Sequence, residues 1–236
     1  MSSMHLGMKS GKPGTAARHS QYICRSGFHG KGDNRQDLVA TGSGNLPPNM
    51  ASFMDMWRHA DARERRNAAA YREMIGALPR ELTAPQWKEL VCDFIDSVIP
   101  GKPYEYAIHC PRAALEGGPQ PHFHLMYTDR IPDGISRPAK QFFARFNASA
   151  PDQGGARKDS CGQDPVAFSE AARLRRERWA EIQNEHLARH GHDARVDARS
   201  YRTRGLKKEV EQHLGPATVR SLSPEGRSMF QAKRLS

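Results

Sequence analysis

Pro121-His122-Phe123-His124-Leu125-Met126-Tyr127 is the stretch around which the chain is organised. Read as a β-strand, it puts His122, His124 and Met126 on one face and Phe123, Leu125 and Tyr127 on the other. Same-face residues two apart lie roughly 6.5–7 Å from each other, so both imidazoles could lean onto a single metal ion. Upstream, Tyr104-Glu105-Tyr106-Ala107-Ile108-His109 reads as a second strand that also ends on a histidine. Pro111, Gly117, Gly118 and Pro119 between the two are turn-formers, and an antiparallel hairpin would set His109 beside His122 and His124. Three neutral imidazoles on one sheet face make a metal site with positions open to substrate. The competing reading is composition: with 11 histidines in 236 residues, a His-x-His triplet also arises by chance. A second one, His190-Gly191-His192, falls where a helix ends at Gly191 and reads as a solvated C-terminal turn.

A chain of 236 residues can bury one sizeable core, with room for a small appendage. Its net charge of +10 and pI near 9.7 point to a polyanionic partner. No apolar run is long enough to span a bilayer and no signal-peptide pattern is visible, so nucleic acid leads and membrane insertion is not expected. Cys24, Cys92, Cys110 and Cys161 are widely separated and form no paired metal motif, which suits reduced thiols in a cytoplasmic protein.

Taken in order, Met4–Met8 suggests a short strand, followed by a turn-rich run from Ser10 to Gly14. Thr15 is a plausible N-cap for a helix through Tyr22 and Ile23, ending near Gly27. Tyr22, with no other tyrosine near it in sequence, reads on its own as a helix-face aromatic packed on the sheet. Residues 28–49, rich in Gly, Asp and Asn, are expected to be loop. A helix capped near Asn49 carries Met50, Phe53, Met54 and Trp57 as core, and Arg63, Glu64, Arg65 and Arg66 follow as a solvated face. Tyr71–Leu78 alternates as a strand on which Glu73 shares a face with Tyr71 and Ile75. That carboxylate is either buried with a partner or on an edge facing water. Thr83-Ala84-Pro85-Gln86 has the pattern of a capping box and opens an amphipathic helix running to Ile99.

Beyond the hairpin, Arg137–Asn147 interleaves cations with three phenylalanines. Such a run suits either a single nucleic acid strand, with rings stacking on bases, or a helix with a Phe core face. Residues 152–164 are polar and Gly-rich. A long helix from about Phe168 to His190 has Leu174, Trp179, Ile182 and Leu187 as its apolar stripe, and the final segment reads as disordered. The expected fold is α+β: a two-layer sandwich with a largely antiparallel central sheet, helices on one side and a further C-terminal helical segment.

The ordered set of Tyr22, His109 and Pro121–Met126 resembles the MobA/MobL family of plasmid mobilisation relaxases, which are HUH endonucleases; Phe123 stands at the apolar position. The likeness extends to Ala77-Leu78-Pro79-Arg80-Glu81-Leu82-Thr83, Ala107-Ile108-His109, Asp133-Gly134-Ile135 with Arg137-Pro138, and Gly191–Asp197, and is nearest the IncQ-type branch. It covers roughly Met4 to Pro216, implying a relaxase domain over residues 1–216 and a basic tail over 217–236. The chain stops short of the primase or helicase portion often fused to such proteins.

The resemblance implies nicking of one DNA strand at an origin of transfer, with the protein joined to the 5′ end through a phosphotyrosine. Tyr22 would be the nucleophile. His109, His122 and His124 would hold a divalent metal, Mg²⁺ or Mn²⁺ by family habit, although three imidazoles also suit Zn²⁺ or Ni²⁺. Glu73 falls where relatives carry an acidic residue and would act as base or orient a histidine. Lys9, Lys12, Arg25, Arg130, Arg137, Lys140 and Arg145 are the candidate DNA contacts. Single-stranded origin DNA, accessory relaxosome proteins and a coupling protein are the implied partners. The alternatives are a rolling-circle replication initiator, which usually places its tyrosine after the histidines, and a non-catalytic single-strand-binding module.

Overall fold

The computed structural model describes residues 4–30, 36–113, 118–159, 164–207 and 216–235. Five strands, β1 (Leu6–Gly11), β2 (Leu38–Gly44), β3 (Tyr71–Ala77), β4 (Tyr104–His109) and β5 (His122–Tyr127), form one sheet in the order β1-β3-β5-β4-β2. Every pairing is antiparallel. The His-x-His strand is therefore the central one. Its β4 partner sets His109 directly across from His122, as the hairpin reading expects, while its β3 partner brings Glu73 opposite Met126.

Alternation along the strands sorts the core into two halves. Phe123, Leu125, Met74, Tyr106 and Ile108 pack against α3 (Ala84–Val98) and α5 (Pro165–Arg189). The ring of Phe123 meets Trp179 at 5.1 Å and Phe94 at 5.8 Å between centroids, so the apolar residue between the two histidines anchors the strand. Truncating it to alanine would cost about 3–5 kcal/mol. On the opposite face, Ala107 and Met126 pack against α1 (Ala16–Ile23) and α2 (Phe53–Arg63). Helices thus cover both faces, which corrects the two-layer expectation: a five-stranded sheet apolar on both sides must be covered on both.

Local signals explain most boundaries. The Thr83 amide donates to Gln86 Oε1 at 2.8 Å in the expected capping box at α3. Ser52, rather than Asn49, caps α2 by accepting from the Asp55 amide at 3.1 Å. At α1 the cap comes from elsewhere. The Thr15 hydroxyl turns back to Lys12 O, and Asp61 on α2 accepts from the amides of Gly14, Ala16 and Ala17 at 2.8–3.0 Å. That carboxylate fixes α1 to α2.

Other expectations are corrected as well. Residues 38–44, read as loop, form edge strand β2, and β1 extends to Gly11, so Lys9 lies on the sheet opposite Glu73. The Phe-rich run yields only the short helix α4 (Ala139–Phe142), with Phe143 buried. Leu174 is 51% exposed and leaves the stripe of α5, and Glu64 is buried rather than solvated. The C-terminal stretch, expected to lack order, carries α6 (Pro216–Ser221) and α7 (Pro224–Leu235). A Ser223 cap on the Gly226 amide, followed by Pro224 in the first turn, supplies the helix start that a Ser/Arg/Lys-rich composition masks. Cys161 lies outside the described residues; Cys24, Cys92 and Cys110 are free thiols.

Candidate active site

Three imidazoles converge on the α1 face of the sheet. Ring centroids lie 5.6 Å apart for His109 and His122, and 5.3 Å apart for each of the other two pairs. An imidazole whose nitrogen binds an ion at about 2.1 Å has its ring centre roughly 3.2 Å from that ion, so rings sharing a tetrahedral ion sit roughly 5 Å apart. The centroids are close to that spacing, but the three ligand nitrogens do not all lie within 4.8 Å of one another, so the rings must turn inward to share an ion. His122 Nδ1 donates to Gln120 O at 3.0 Å, and His124 Nδ1 donates to Glu73 Oε1 at 2.7 Å. Both tautomers are thereby set with Nε2 as the lone-pair nitrogen. His109 fits less directly. Its Nε2 lies 2.7 Å from Ile23 O, and its Nδ1 lies 3.0 Å from Arg25 and 3.3 Å from Asp37, so ligation requires it to release one of these partners. Burial holds all three imidazoles below the usual histidine range, which keeps them neutral and able to ligate at neutral pH.

Glu73 is buried, and its carboxylate joins three elements. Besides His124 it meets Lys9 Nζ from β1 and His19 Nε2 from α1, both at 2.9 Å. Burial alone would raise its pKa. Hydrogen bonds from His124, His19 and Lys9 overcome that and hold the carboxyl far below the usual range. The edge-facing-water alternative for Glu73 is thus excluded, and the residue orients a histidine.

Tyr22 sits on α1 with its side chain 45% exposed, so it is displayed rather than packed. Its ring stacks toward His19 at 6.2 Å and meets His29 edge-on at 5.5 Å. The Arg25 guanidinium lies 4.9 Å from the ring centre and also 3.0 Å from His109 Nδ1, so one cation touches both the tyrosine and the histidine cluster. Arg25 holds φ +47°, a left-handed backbone costing about 1–2 kcal/mol for a residue with a Cβ. Asp37 binds its guanidinium at 2.9 and 3.2 Å. Burial lowers the Arg25 pKa, but the Asp37 and then the Tyr22 contacts outweigh it and leave the guanidinium more firmly protonated.

The expected DNA contacts divide. Lys12, Lys140 and Arg145 are exposed, and Lys9 is half-exposed. Arg130 and Arg137 are not available to phosphate, which corrects their assignment. Arg130 is buried against Glu64 at 2.7 and 2.9 Å and donates to the carbonyls of Phe143, Ala144 and Ala156. Arg137 clamps Asp133 through two bonds and donates to Gly154 O and Pro151 O. Buried guanidiniums without such partners would be strongly unfavourable; here they staple the 142–158 segment to the body. Sequence reasoning missed His19 and Asp37. His19 stands three residues before Tyr22, one helical turn away, and that spacing could have flagged it. Asp37 carries no local signal, because only the β2–β4 pairing brings it to His109.

A separate His/His/Glu cluster able to hold a metal ion lies at Glu89, His186 and His190, on α3 and at the end of α5.

Three clustered histidines on the paired strands β4 and β5 of an antiparallel sheet, faced by a tyrosine-bearing helix, define an α+β protein with a phenol displayed beside an imidazole cluster. The MobA/MobL family model matches residues 26–222, beginning just after Tyr22. A 43 kDa relaxation protein of Salmonella typhimurium is 41% identical over 211 residues, covering 89% of this chain and 57% of that protein. Mobilization protein A of Escherichia coli is 38% identical over 224 residues, covering 93% of this chain and 30% of that protein. The chain belongs to the MobA/MobL family, and spans about half or less of the length of these relatives. A solved structure described as the molecular basis of vancomycin resistance transfer in Staphylococcus aureus shares the fold, with a TM-score of 0.55 and 23% identity over 84% of this chain and 98% of that one. Among the described residues, no helix is long and apolar enough to cross a membrane.

Proposed function

We propose that this chain nicks one strand of DNA at a plasmid origin of transfer by tyrosine transesterification. The observation that carries the reading is the Arg25 guanidinium, which bridges the exposed Tyr22 ring and the three-histidine cluster. Residues 1–216 are proposed as the relaxase domain and 217–236 as an appendage. The work would be done in the cytoplasm on single-stranded origin DNA, with accessory relaxosome proteins and a coupling protein.

His122 and His124 through Nε2, with His109 once it has released Ile23 O or Arg25, would hold the divalent ion, Mg²⁺ or Mn²⁺, with Zn²⁺ or Ni²⁺ also suited to the donors. When bound, the ion offsets charge on the non-bridging oxygens of the scissile phosphate. Glu73 fixes the His124 ring. A neutral phenol is a poor nucleophile, and the Arg25 guanidinium beside its ring would stabilise negative charge developing on the attacking oxygen. His19, held by Glu73 one helical turn away, accepts the phenol proton directly or through a water. The Tyr22 oxygen forms a bond to phosphorus, the bond from phosphorus to the 3′ oxygen breaks, and that oxygen leaves and is protonated. One ester replaces another of similar energy, so the nick can be resealed. Lys9, Lys12, Lys140 and Arg145 would hold the backbone.

The test compares His122→Ala and His124→Ala with the wild type for cleavage and for binding of a single-stranded origin oligonucleotide. Cleavage lost with most affinity retained supports the reading. Joint loss of affinity and folding would make the cluster structural.

A further inference from the structure

On the sheet face away from the three histidines, α3 and α5 pack side by side, and two pairs of ligating side chains meet there. His186 and His190 are one turn apart on α5, and Glu89 and Asp93 one turn apart on α3. His186 is fully buried, with Nε2 2.8 Å from Asp93 Oδ2. Its Nδ1 is buried without a hydrogen-bond partner, and so is Nε2 of His190. Glu89 Oε2 lies 4.0 Å from that His190 nitrogen. One ligand atom from each of Glu89, His186 and His190 lies within 4.8 Å of the other two. An imidazole nitrogen taken from water and left unmet costs about 1–3 kcal/mol, and two on rings whose centroids lie 6.2 Å apart call for a partner that takes up their lone pairs.

We propose that Glu89, His186 and His190 bind a divalent transition ion of the Zn²⁺ class, which staples the C-terminal end of α5 to α3. Two imidazoles and a carboxylate suit such an ion, with a fourth position open to water on the exposed Glu89 side. Asp93 accepts from Nε2–H of His186, which leaves Nδ1 of that ring as the ligand nitrogen; a carboxylate behind a ligating histidine has this effect on its tautomer. Ligands around a tetrahedral ion at about 2.0–2.2 Å sit roughly 3.3–3.5 Å apart, so the cluster must tighten by about an ångström. Glu89, exposed on a flexible stem, is the group free to move.

The turn that ends α5 sets the position of His190. The Gly191 amide donates to Ala188 O at 3.0 Å and the His192 amide to Leu187 O at 2.9 Å, with Gly191 at φ +75°. This double bond pattern fixes the last helical turn and so the direction of the His190 ring. A cation there also meets the negative end of the α5 dipole. The solvated-turn reading of His190 therefore gives way to a half-buried one, while the helix does end at Gly191 as expected.

The test removes the other histidine cluster first. In the full chain carrying His122→Ala and His124→Ala, we expect an equivalent of zinc to remain by elemental analysis, and Co²⁺ exchanged into it to give visible ligand-field bands. Adding His190→Ala, at a half-buried position on the last turn, or Glu89→Gln, at an exposed one, should lower affinity by about tenfold or more and abolish the bands while leaving the circular dichroism unchanged. Chelation should lower the thermal midpoint by several degrees only where the cluster is intact. No stoichiometric metal in the parent double variant, as expected if a buried water fills the gap, overturns the proposal. So does metal that His190→Ala leaves in place.

Discussion

Glu73 on β3 and His124 on β5 are joined by a 2.7 Å bond between neighbouring strands, and the same carboxylate holds His19 of the helix that carries Tyr22. One buried acid thus sets a candidate metal-site ring and the nearest histidine of the candidate nucleophile's helix.

Replacing it should therefore be felt at the metal before the fold. Glu73→Gln is expected to weaken divalent-ion binding by about 10–100-fold, the range for lost partners behind ligating histidines, with near-native circular dichroism. Isothermal titration with Mn²⁺ measures this; unchanged affinity would remove Glu73 from the metal site.

The same carboxyl gives a pH signature. Its folded pKa is depressed below the unfolded value of about 4.3, so its stabilisation is fully present above that value and is lost as pH falls through the acid range. Denaturant melts from pH 7 to pH 3 should show stability falling less steeply in Glu73→Gln than in the wild type. Parallel curves would mean that Glu73 titrates normally.

Asp61 caps α1 from α2, so its loss should loosen the helix that presents Tyr22. Asp61→Ala is expected to cost about 0.5–2 kcal/mol and to raise hydrogen exchange at the amides of Ala16 and Ala17. Exchange confined to other segments would contradict a docking role.

The cations should separate by function. Lys140→Ala and Arg145→Ala are expected to leave the melting temperature unchanged and to reduce the salt dependence of single-strand binding by about 0.7 per lost phosphate contact. Arg130→Ala is expected to destabilise by about 3–5 kcal/mol, because it strands Glu64 in the interior. A stable Arg130→Ala with weakened DNA binding would restore that residue to the interface.

The histidine hairpin was legible because strand alternation and turn residues are local properties: His109, His122 and His124 follow directly from them. The edge strand was not. Leu38–Gly44 contains two glycines that look like a turn, yet a Cβ on Gly42 or Gly44 would come within 2.4 or 2.7 Å of the Tyr106 or Tyr104 ring. Those glycines serve aromatic neighbours from β4, a long-range requirement that local pattern cannot express. Arg130 and Arg137 mislead for a related reason, since charge alone does not tell a phosphate contact from a guanidinium clamping buried carbonyls. The capping of α1 by Asp61 and the meeting of Asp37 with His109 likewise depend on tertiary placement.

The most direct measurement is covalent capture. Single-stranded oligonucleotides tiling the DNA beside its own gene are incubated with the protein and Mn²⁺, and adducts are digested and mapped by mass spectrometry. A 5′-phosphotyrosyl peptide is expected at Tyr22, absent in Tyr22→Phe and in His124→Ala. An adduct that persists in Tyr22→Phe, or maps to another side chain, would contradict the assignment of Tyr22 as nucleophile.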